Sequence, residues 1–345
     1  VGRVSVVVGG QFGSEGKGAV AGYLSTNKDE NVIGVRVAGP NAGHTVYGDG
    51  PDGEIGTYAW KLRTVPVTAV TNPDSKIVIA AGSEIEFAVL DDELDRLDRA
   101  GYNGTERIII DDQATVLEDR HKQVEQDADL TALLGSTSKG IGAARADRLL
   151  RGASLNGGGV DTAALLAQEL KDYNTHVIIE GTQGYGLGLH AGYYPFCTSS
   201  DCRAIDFLAM AGVNPWQYGA ADVDVWVVAR TYPIRVAGNS GPLSNETTWD
   251  KLGFEPERTT VTNKIRRVGE WDSELVREAV RANGGAPTVK LALTMFDYVF
   301  PELAGATIVP QDQKYWDYIE KIEKETGAKV ALVGTSPTTM AYTYH

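Results

Sequence analysis

A mostly apolar strand pattern, Val4–Val8, runs straight into Gly9-Gly10-Gln11-Phe12-Gly13-Ser14-Glu15-Gly16-Lys17-Gly18, and a helical pattern follows over Ala19–Leu24. A strand, a glycine-rich turn, one lysine and a helix make a phosphate cradle. Glycines let backbone N–H groups converge on an anion, and the lysine adds a point charge at the helix's positive end. The stretch is not the common P-loop: in G-x-x-x-x-G-K-[ST] the first glycine would fall at Gln11 and the magnesium-gripping hydroxyl at Gly18. The loop is expected to bind a nucleotide whose metal is held in another way.

Apolar, β-branched runs recur at Ile33–Val37, Lys76–Ala80, Arg107–Ile110, His176–Ile179, Val223–Val228, Val289–Leu293 and Lys329–Val333. Helical patterns over Glu86–Arg99, Thr162–Tyr173, Ser273–Ala282 and Lys314–Thr326 lie between several of them. Near-continuous apolar strands alternating with amphipathic helices predict an α/β fold with a mostly parallel, buried central β-sheet flanked by helices. Asp161 suits an N-cap, and Gly284 and Gly327 suit helix C-termini. No linker divides 1–345, so a single large domain is expected; the resemblance given below implies that it is catalytic and related to the P-loop folds. Gly238–Arg267 is poor in apolar residues and reads as an excursion carrying loops; loops at strand C-terminal ends are where ligands bind in such sheets.

Composition removes several alternatives. With 46 acidic against 32 basic residues the net charge is −14, which argues against a surface that coats nucleic acid but not against a small nucleotide in a locally basic pocket. Cys197 and Cys202 have no zinc or redox spacing and read as reduced thiols. No apolar run approaches the ~20 residues that span a bilayer, and no charged-then-apolar leader is present. No membrane partner and a cytoplasmic location (the host cytoplasm, if the source is viral) are therefore expected.

A second signal, Arg36-Val37-Ala38-Gly39-Pro40-Asn41-Ala42-Gly43-His44-Thr45, follows a strand pattern and sets an imidazole where a ligand would meet open backbone. Together with the phosphate loop it resembles the adenylosuccinate synthetase family, whose first loop usually reads Gly-Asp-Glu-Gly-Lys-Gly. Further blocks follow in the family's order: Leu134–Gly142, Glu180-Gly181-Thr182-Gln183-Gly184, Pro195–Ser200, Val261–Gly269 and Leu293–Asp297.

The resemblance implies a ligase that joins L-aspartate to the 6-position of a purine monophosphate. A nucleoside triphosphate first phosphorylates the 6-oxygen, and the aspartate amine then displaces phosphate. Removing the proton on ring nitrogen 1 makes that oxygen nucleophilic, and Mg2+, backbone amides and cations must meet the phosphoryl charge. Ser14, Lys17 and His44 fall at the family's catalytic positions. Ser14, Glu15, Gly16, Lys17, Gly18, Gly43, His44, Thr45, Asp297, Gly334 and Ser336 fall where it holds the triphosphate, with Ser14 and the Gly43 carbonyl at metal positions. Ser14, Asn41, Ser136, Thr137, Arg151, Gln183, Thr198 and Val236 fall at the purine monophosphate, Arg151 reaching across a homodimer. Val261, Thr262, Lys264, Arg266 and Arg267 fall at the aspartate, where paired cations suit two carboxylates. From the residues alone, Thr137 could equally cap a helix, Gln183 cap a turn, Asp297 form one, and Arg266 and Arg267 be a solvated face.

Four departures carry the substrate. Ser14 stands where the family has the aspartate that serves as general base and magnesium ligand. A hydroxyl cannot act alone as base at neutral pH, so Glu15, His44, a water or the substrate itself must take the proton. The smaller residue also opens room beside ring nitrogen 1, where guanine carries a 2-amino group. Lys264 replaces an arginine that approaches the ribose 2′-hydroxyl, a change that is not conservative at a bidentate site. Met295 replaces the lysine of a guanine-reading element, favouring ATP over GTP, with dATP possible, although Asp297 remains. Asn263 replaces a glycine and tolerates positive φ. Together these resemble the viral branch, the 2-aminodeoxyadenylosuccinate (deoxyguanylosuccinate) synthetases of bacteriophage, and predict dGMP, L-aspartate and ATP as substrates on the way to diaminopurine DNA. Conventional use of IMP with GTP, and a non-catalytic nucleotide-binding regulator, stay open.

Overall fold

The computed structural model describes residues 1–218, 223–259 and 263–343. Nine strands form its main sheet: β1 (Arg3–Gly9), β2 (Asn31–Arg36), β3 (Lys76–Ile79), β4 (Ile108–Ile110), β5 (Thr175–Glu180), β6 (Val223–Arg230), β7 (Val289–Thr294), β8 (Lys329–Ser336) and β9 (Thr339–Tyr342). Their order is β9-β8-β7-β6-β1-β5-β2-β3-β4. Every pairing is parallel except β8 with β9. The eight apolar runs of the sequence are the eight parallel strands. The antiparallel edge β9 turns back two residues after β8 and is too short to leave a pattern.

Alternation along β1 divides the core. Val4, Val6 and Val8 pack on one face with Phe207, Val276 and Ile319. These come from the helices Ala204–Ala211, Ser273–Ala282 and Gln313–Thr326. Val7 faces the other side with Val20, Leu24, Leu90 and Leu97, from the helices Lys17–Leu24 and Phe87–Arg99. Asp161 caps its helix by accepting from Ala164 N at 2.9 Å, and Gly327 ends another at φ +77°. The helix from Thr162 stops at Glu169, short of the expected Tyr173. Among the described helices of eight residues or more, three left no sequence signal: Asp119–Asp127, Ile141–Leu150 and Ala204–Ala211. The first is polar nearly all round and the last apolar nearly all round, so neither shows a 3.6-residue stripe.

The excursion Gly238–Arg267 is not wholly loop. Glu246–Thr247 joins Ile234–Arg235 and Arg267–Gly269 in a three-stranded sheet, over a small core of Ile234, Trp249 and Val268. Among the described residues no helix is long and apolar enough to cross a membrane, and both cysteines are free.

Because the strands run parallel, Gly9, Arg36, Glu180, Arg230, Thr294 and Ser336 all lie at one edge of the sheet. Register sets neighbours there: Arg36 opposes Glu180, and Arg230 opposes Thr294. Phe207 is fully buried between its helix and the sheet centre. Phe207→Ala should cost about 3–5 kcal/mol of stability, read as a lower urea midpoint with unchanged m-value; a shift of less than a third of that size would contradict the packing described.

Candidate active site

The phosphate loop leaves β1 and enters the helix at Lys17, with left-handed backbone at Gly13, Ser14 and Gly16. Its centre is the Glu15 carboxylate, fully buried. Gln11 N donates to Oε1 at 3.2 Å and Gly13 N at 2.8 Å, while Lys17 Nζ donates to Oε2 at 2.6 Å. Lys17 Nζ also donates to the Gln183 carbonyl at 2.5 Å, which joins the loop to the segment after β5. Thr294, ending β7, donates to Glu15 O at 2.5 Å. Ser14 is exposed on the loop, and the Arg230 guanidinium reaches its carbonyl at 3.3 Å.

Gly18, where a P-loop would carry its hydroxyl, is a packing requirement. A Cβ there would lie 2.7 Å from His44 Cβ and 3.2 Å from Thr45 N. The Gly43-His44-Thr45 segment, opening a hairpin of His44–Gly48 with Tyr58–Leu62, occupies that space.

His44 is held in a buried charged cluster. Its Nδ1 lies 2.8 Å from Glu180 Oε2. Arg36 Nη1 is 2.9 Å from Nδ1 and 3.5 Å from Nε2, a spacing that sets the guanidinium against the ring face. Val67 N donates to Glu180 Oε1 at 2.6 Å. Burial, then the Arg36 and Lys17 charges, holds the His44 pKa well below the ordinary range, so the ring is neutral. Burial pushes Glu180 up to about 7 against the opposing pull of Arg36 and the Val67 amide. Arg36 and Glu180 escaped the sequence reading. The signal was there: each is a charge ending an otherwise apolar strand.

The purine-binding expectations come from several segments that the structure links. Gln183 has left-handed backbone, and its Cα lies 3.9 Å from a Cβ built on Gly13. Arg235 stacks on Phe12 of the phosphate loop at 4.2 Å and donates to Phe196 O at 3.0 Å, tying in the segment that holds Thr198. Burial, then Arg267, draws Arg235 down to about 10. Ser199, next to Thr198, accepts from Arg145 at 3.2 Å. The Ser136-Thr137 loop approaches Val236, whose Cγ2 lies 3.5 Å from a Cβ built on Gly135. Thr137 is exposed and caps nothing, since the next helix starts at Ile141 with Gly140 as its N-cap. Asn41 lies half-buried between β2 and His44. Arg151 stands apart at the end of the helix Ile141–Leu150, exposed, its guanidinium donating to Leu149 O at 2.8 Å.

On the triphosphate side, Gly334 and Ser336 end β8 beside β7, and Gly43 and Thr45 are exposed. Asp297 sits in the first turn of the helix Phe296–Val299, its pKa raised by burial. Of the aspartate residues, Val261 and Thr262 lie outside the described residues. Lys264 is exposed. Arg266 is half-buried with its Nε unpartnered, lowered in pKa by burial against the pull of Glu257. Arg267 is bound to Glu246 at 2.6 Å, Ser240 Oγ at 3.1 Å and Gly241 O at 2.7 Å, so it braces the excursion. Glu257 pairs with Arg230 and accepts from Tyr298 at 3.1 Å, linking this excursion back to Ser14.

The donor set suits magnesium of one kind. Among the described residues no three His, Cys, Asp or Glu side chains gather into a metal cage. The Gly43 carbonyl and Ser14 hydroxyl are hard, neutral oxygens. Mg2+ commonly takes one or two protein oxygens and completes its shell with phosphates and water.

A family model described as adenylosuccinate synthetase matches residues 6–157 and 152–308. The chain belongs to the adenylosuccinate synthetase family. It is therefore a nucleotide-dependent ligase that forms a C–N bond. The adenylosuccinate synthetase of Methanocaldococcus jannaschii is 34% identical over 96% of this chain and 94% of its own length. That of Pyrococcus horikoshii is 34% identical over 96% and 95%. Among solved structures, the cyanophage S-2L succinoaminodeoxyadenylate synthetase (PurZ), bound to dGMP and to dATP as an energy donor, superposes with a TM-score of 0.79 at 29% identity, over 100% of this chain and 96% of that one. The Plasmodium falciparum adenylosuccinate synthetase covers both chains fully with a TM-score of 0.83 at 18% identity, a likeness of fold.

This synthetase-family geometry predicts that restoring a P-loop hydroxyl is harmful. Gly18→Ser should lower kcat by at least about tenfold and lower the melting temperature, because a Cβ cannot enter without displacing His44. Wild-type kinetics in that variant would refute the contact.

Proposed function

We propose that this enzyme joins L-aspartate to the 6-position of dGMP, with ATP giving ADP and phosphate through a 6-phosphoryl intermediate, to yield 2-amino-2′-deoxyadenylosuccinate. The observation that carries this reading is Ser14, a short, exposed side chain on left-handed backbone at the position of the family's catalytic acid. Serine adopts that conformation at a cost, and such strain persists where function retains it. The space left by the acid suits the guanine 2-amino group. Met295 in place of lysine favours ATP, or dATP, over GTP. The cyanophage enzyme, bound to dGMP and dATP, supports both choices.

Both Glu15 oxygens are committed within the loop, so Glu15 is poorly set to be the base. His44 is the better acceptor. With Nδ1–H donating to Glu180, Nε2 carries the free lone pair, the arrangement in which a carboxylate orients an imidazole for proton transfer. The ring nitrogen 1 proton passes to Nε2, the 6-oxygen attacks the γ-phosphorus, and the bond to the ADP oxygen breaks. The imidazolium, offset by Glu180, donates to the phosphoryl oxygen. The aspartate amine then bonds to carbon 6 and gives up one proton to the departing phosphate, which leaves with the former 6-oxygen. Bound Mg2+, held by the Gly43 carbonyl and Ser14 hydroxyl, supplies charge neutralisation at the phosphates. Lys17 and the loop amides meet the same charge, Thr137, Gln183 and Thr198 hold the purine nucleotide, and Lys264 and Arg266 with Thr262 hold the aspartate. Exposed Leu149 and Leu150, at 74% and 78%, flank Arg151. They fit a homodimer in which Arg151 reaches its neighbour's monophosphate.

A second reading, IMP as substrate, is favoured by the archaeal synthetases at 34% identity. One substrate panel separates them. With aspartate and ATP, dGMP should give the succinyl adduct by mass; turnover of IMP without dGMP would reverse the assignment. Ser14→Asp should raise KM for dGMP at least about tenfold, the scale of a steric misfit in a tight pocket, and unchanged dGMP kinetics would remove the steric argument. Glu180→Gln should cut kcat by about 10²-fold or more with KM little altered, as expected for a group orienting an acid–base imidazole; a KM effect alone would assign Glu180 to binding.

A further inference from the structure

Arg230, the last residue of β6, is held from two directions. Its backbone is clasped by the phosphate loop: Arg230 N donates to Gln11 Oε1 at 2.9 Å, and Gln11 Nε2 donates to Arg230 O at 3.0 Å. Its buried guanidinium forms a two-pronged pair with Glu257, Nη1 reaching Oε2 at 3.1 Å and Nη2 reaching Oε1. Nη1 also donates to Ser14 O at 3.3 Å. Glu257 in turn opens a hairpin. Arg266 N donates to Glu257 O and Thr259 N to Lys264 O, both at 2.9 Å, with Arg258 bridged to Ile265 between them. The base of that hairpin, which carries Lys264 and Arg266, is pinned twice more. Tyr298 Oη donates to Glu257 at 3.1 Å, and Trp249 Nε1 donates to Arg266 O at 2.7 Å.

We propose that Arg230 and Glu257 are positioning residues for the amination half of the reaction, setting the hairpin that receives the amino acid at a fixed distance and angle from the phosphate loop. This rests on the assignment of that hairpin to L-aspartate made above. A planar guanidinium that meets a carboxylate through two bonds fixes orientation as well as separation, and the Gln11 clasp fixes the backbone from which the fork projects. Attack of the amine on carbon 6 depends on that geometry, since a misplacement of about 1 Å can cost about 10²-fold. Phosphoryl transfer does not depend on it. The phosphate loop is held independently, by Lys17 on Glu15 and by Thr294 on the Glu15 carbonyl.

The test compares the wild type with Glu257→Gln and with the double variant Arg230→Met, Glu257→Met. Each is assayed on whichever purine monophosphate and triphosphate the wild type turns over, so that the substrate assignment and this one fail separately. Two rates are read: amination as a function of aspartate concentration, and, without aspartate, scrambling of an oxygen isotope out of the β,γ-bridge of the triphosphate, which reports reversible phosphoryl transfer alone. In both variants KM for aspartate should rise at least about tenfold while scrambling stays within about twofold of wild type. The double variant separates positioning from stability, because replacing a buried ion pair by apolar groups of similar volume is often neutral for folding. A pair with only a structural role would be rescued by the two methionines. Wild-type KM for aspartate in the double variant, or an equal fall of scrambling and amination in either variant, overturns the proposal.

Discussion

The Glu15 carboxylate gathers two loop amides and the Lys17 ammonium in a space closed to water, and the geometry of the nucleotide edge follows from it. Two charges removed from water repay their desolvation only when they are paired and their remaining donors and acceptors are met. Here the Gln183 carbonyl and the Gln11 and Gly13 amides supply the rest. The three left-handed residues of the loop are thereby held in one conformation, which a free glycine-rich loop would lose to entropy. An ammonium has three donors. Glu15 and Gln183 use two of them, which leaves the third for the phosphate that the proposed mechanism brings to this loop.

Two oddities of the sequence turn out to be a single contact. Gly18 lacks the P-loop hydroxyl because His44 packs against it, and a Cβ on the preceding Gly43 would press to 3.3 Å from the Leu62 carbonyl. The imidazole is then locked from the sheet side. Arg36 and Glu180 end neighbouring parallel strands in register, so the chain topology itself brings a cation and an anion to the same ring. A one-residue slip between β2 and β5 would send one of them to the opposite face.

Much of this was legible in the chain. The eight parallel strands declare themselves because a strand buried on both faces must be apolar along its whole length. The phosphate loop is legible because few backbones other than glycine can turn so tightly around an anion. What escaped is long-range. Arg36, Glu180, Arg230 and Glu257 read as isolated charges until the fold joins residues 144 or 27 positions apart. Arg267 shows the converse: a cation that the motif assigns to substrate is held in the structure by Glu246 and two backbone-proximal acceptors. The helix Ala204–Ala211 left no stripe because it is apolar nearly all round, with Phe207 and Leu208 turned to the sheet it covers.

The charge balance draws these parts together. A chain of net charge −14 repels the three anions that its chemistry must assemble: a triphosphate, a monophosphate and an aspartate. Binding therefore depends on local cations being concentrated where the parallel strands end. Lys17, Arg36 and Arg230 are buried there, each with a carboxylate partner close by. Those partners lower the cost of burying the cations but also dilute their field; Lys264, by contrast, is exposed. Each substrate then improves the site for the next. On the proposed mechanism, bound Mg2+ would offset the triphosphate's charge, and Lys17 and His44 would meet the transferring group beside it. A neutral Ser14 fits the proposed mechanism as well, since it places no negative charge where that mechanism gathers the phosphoryl group.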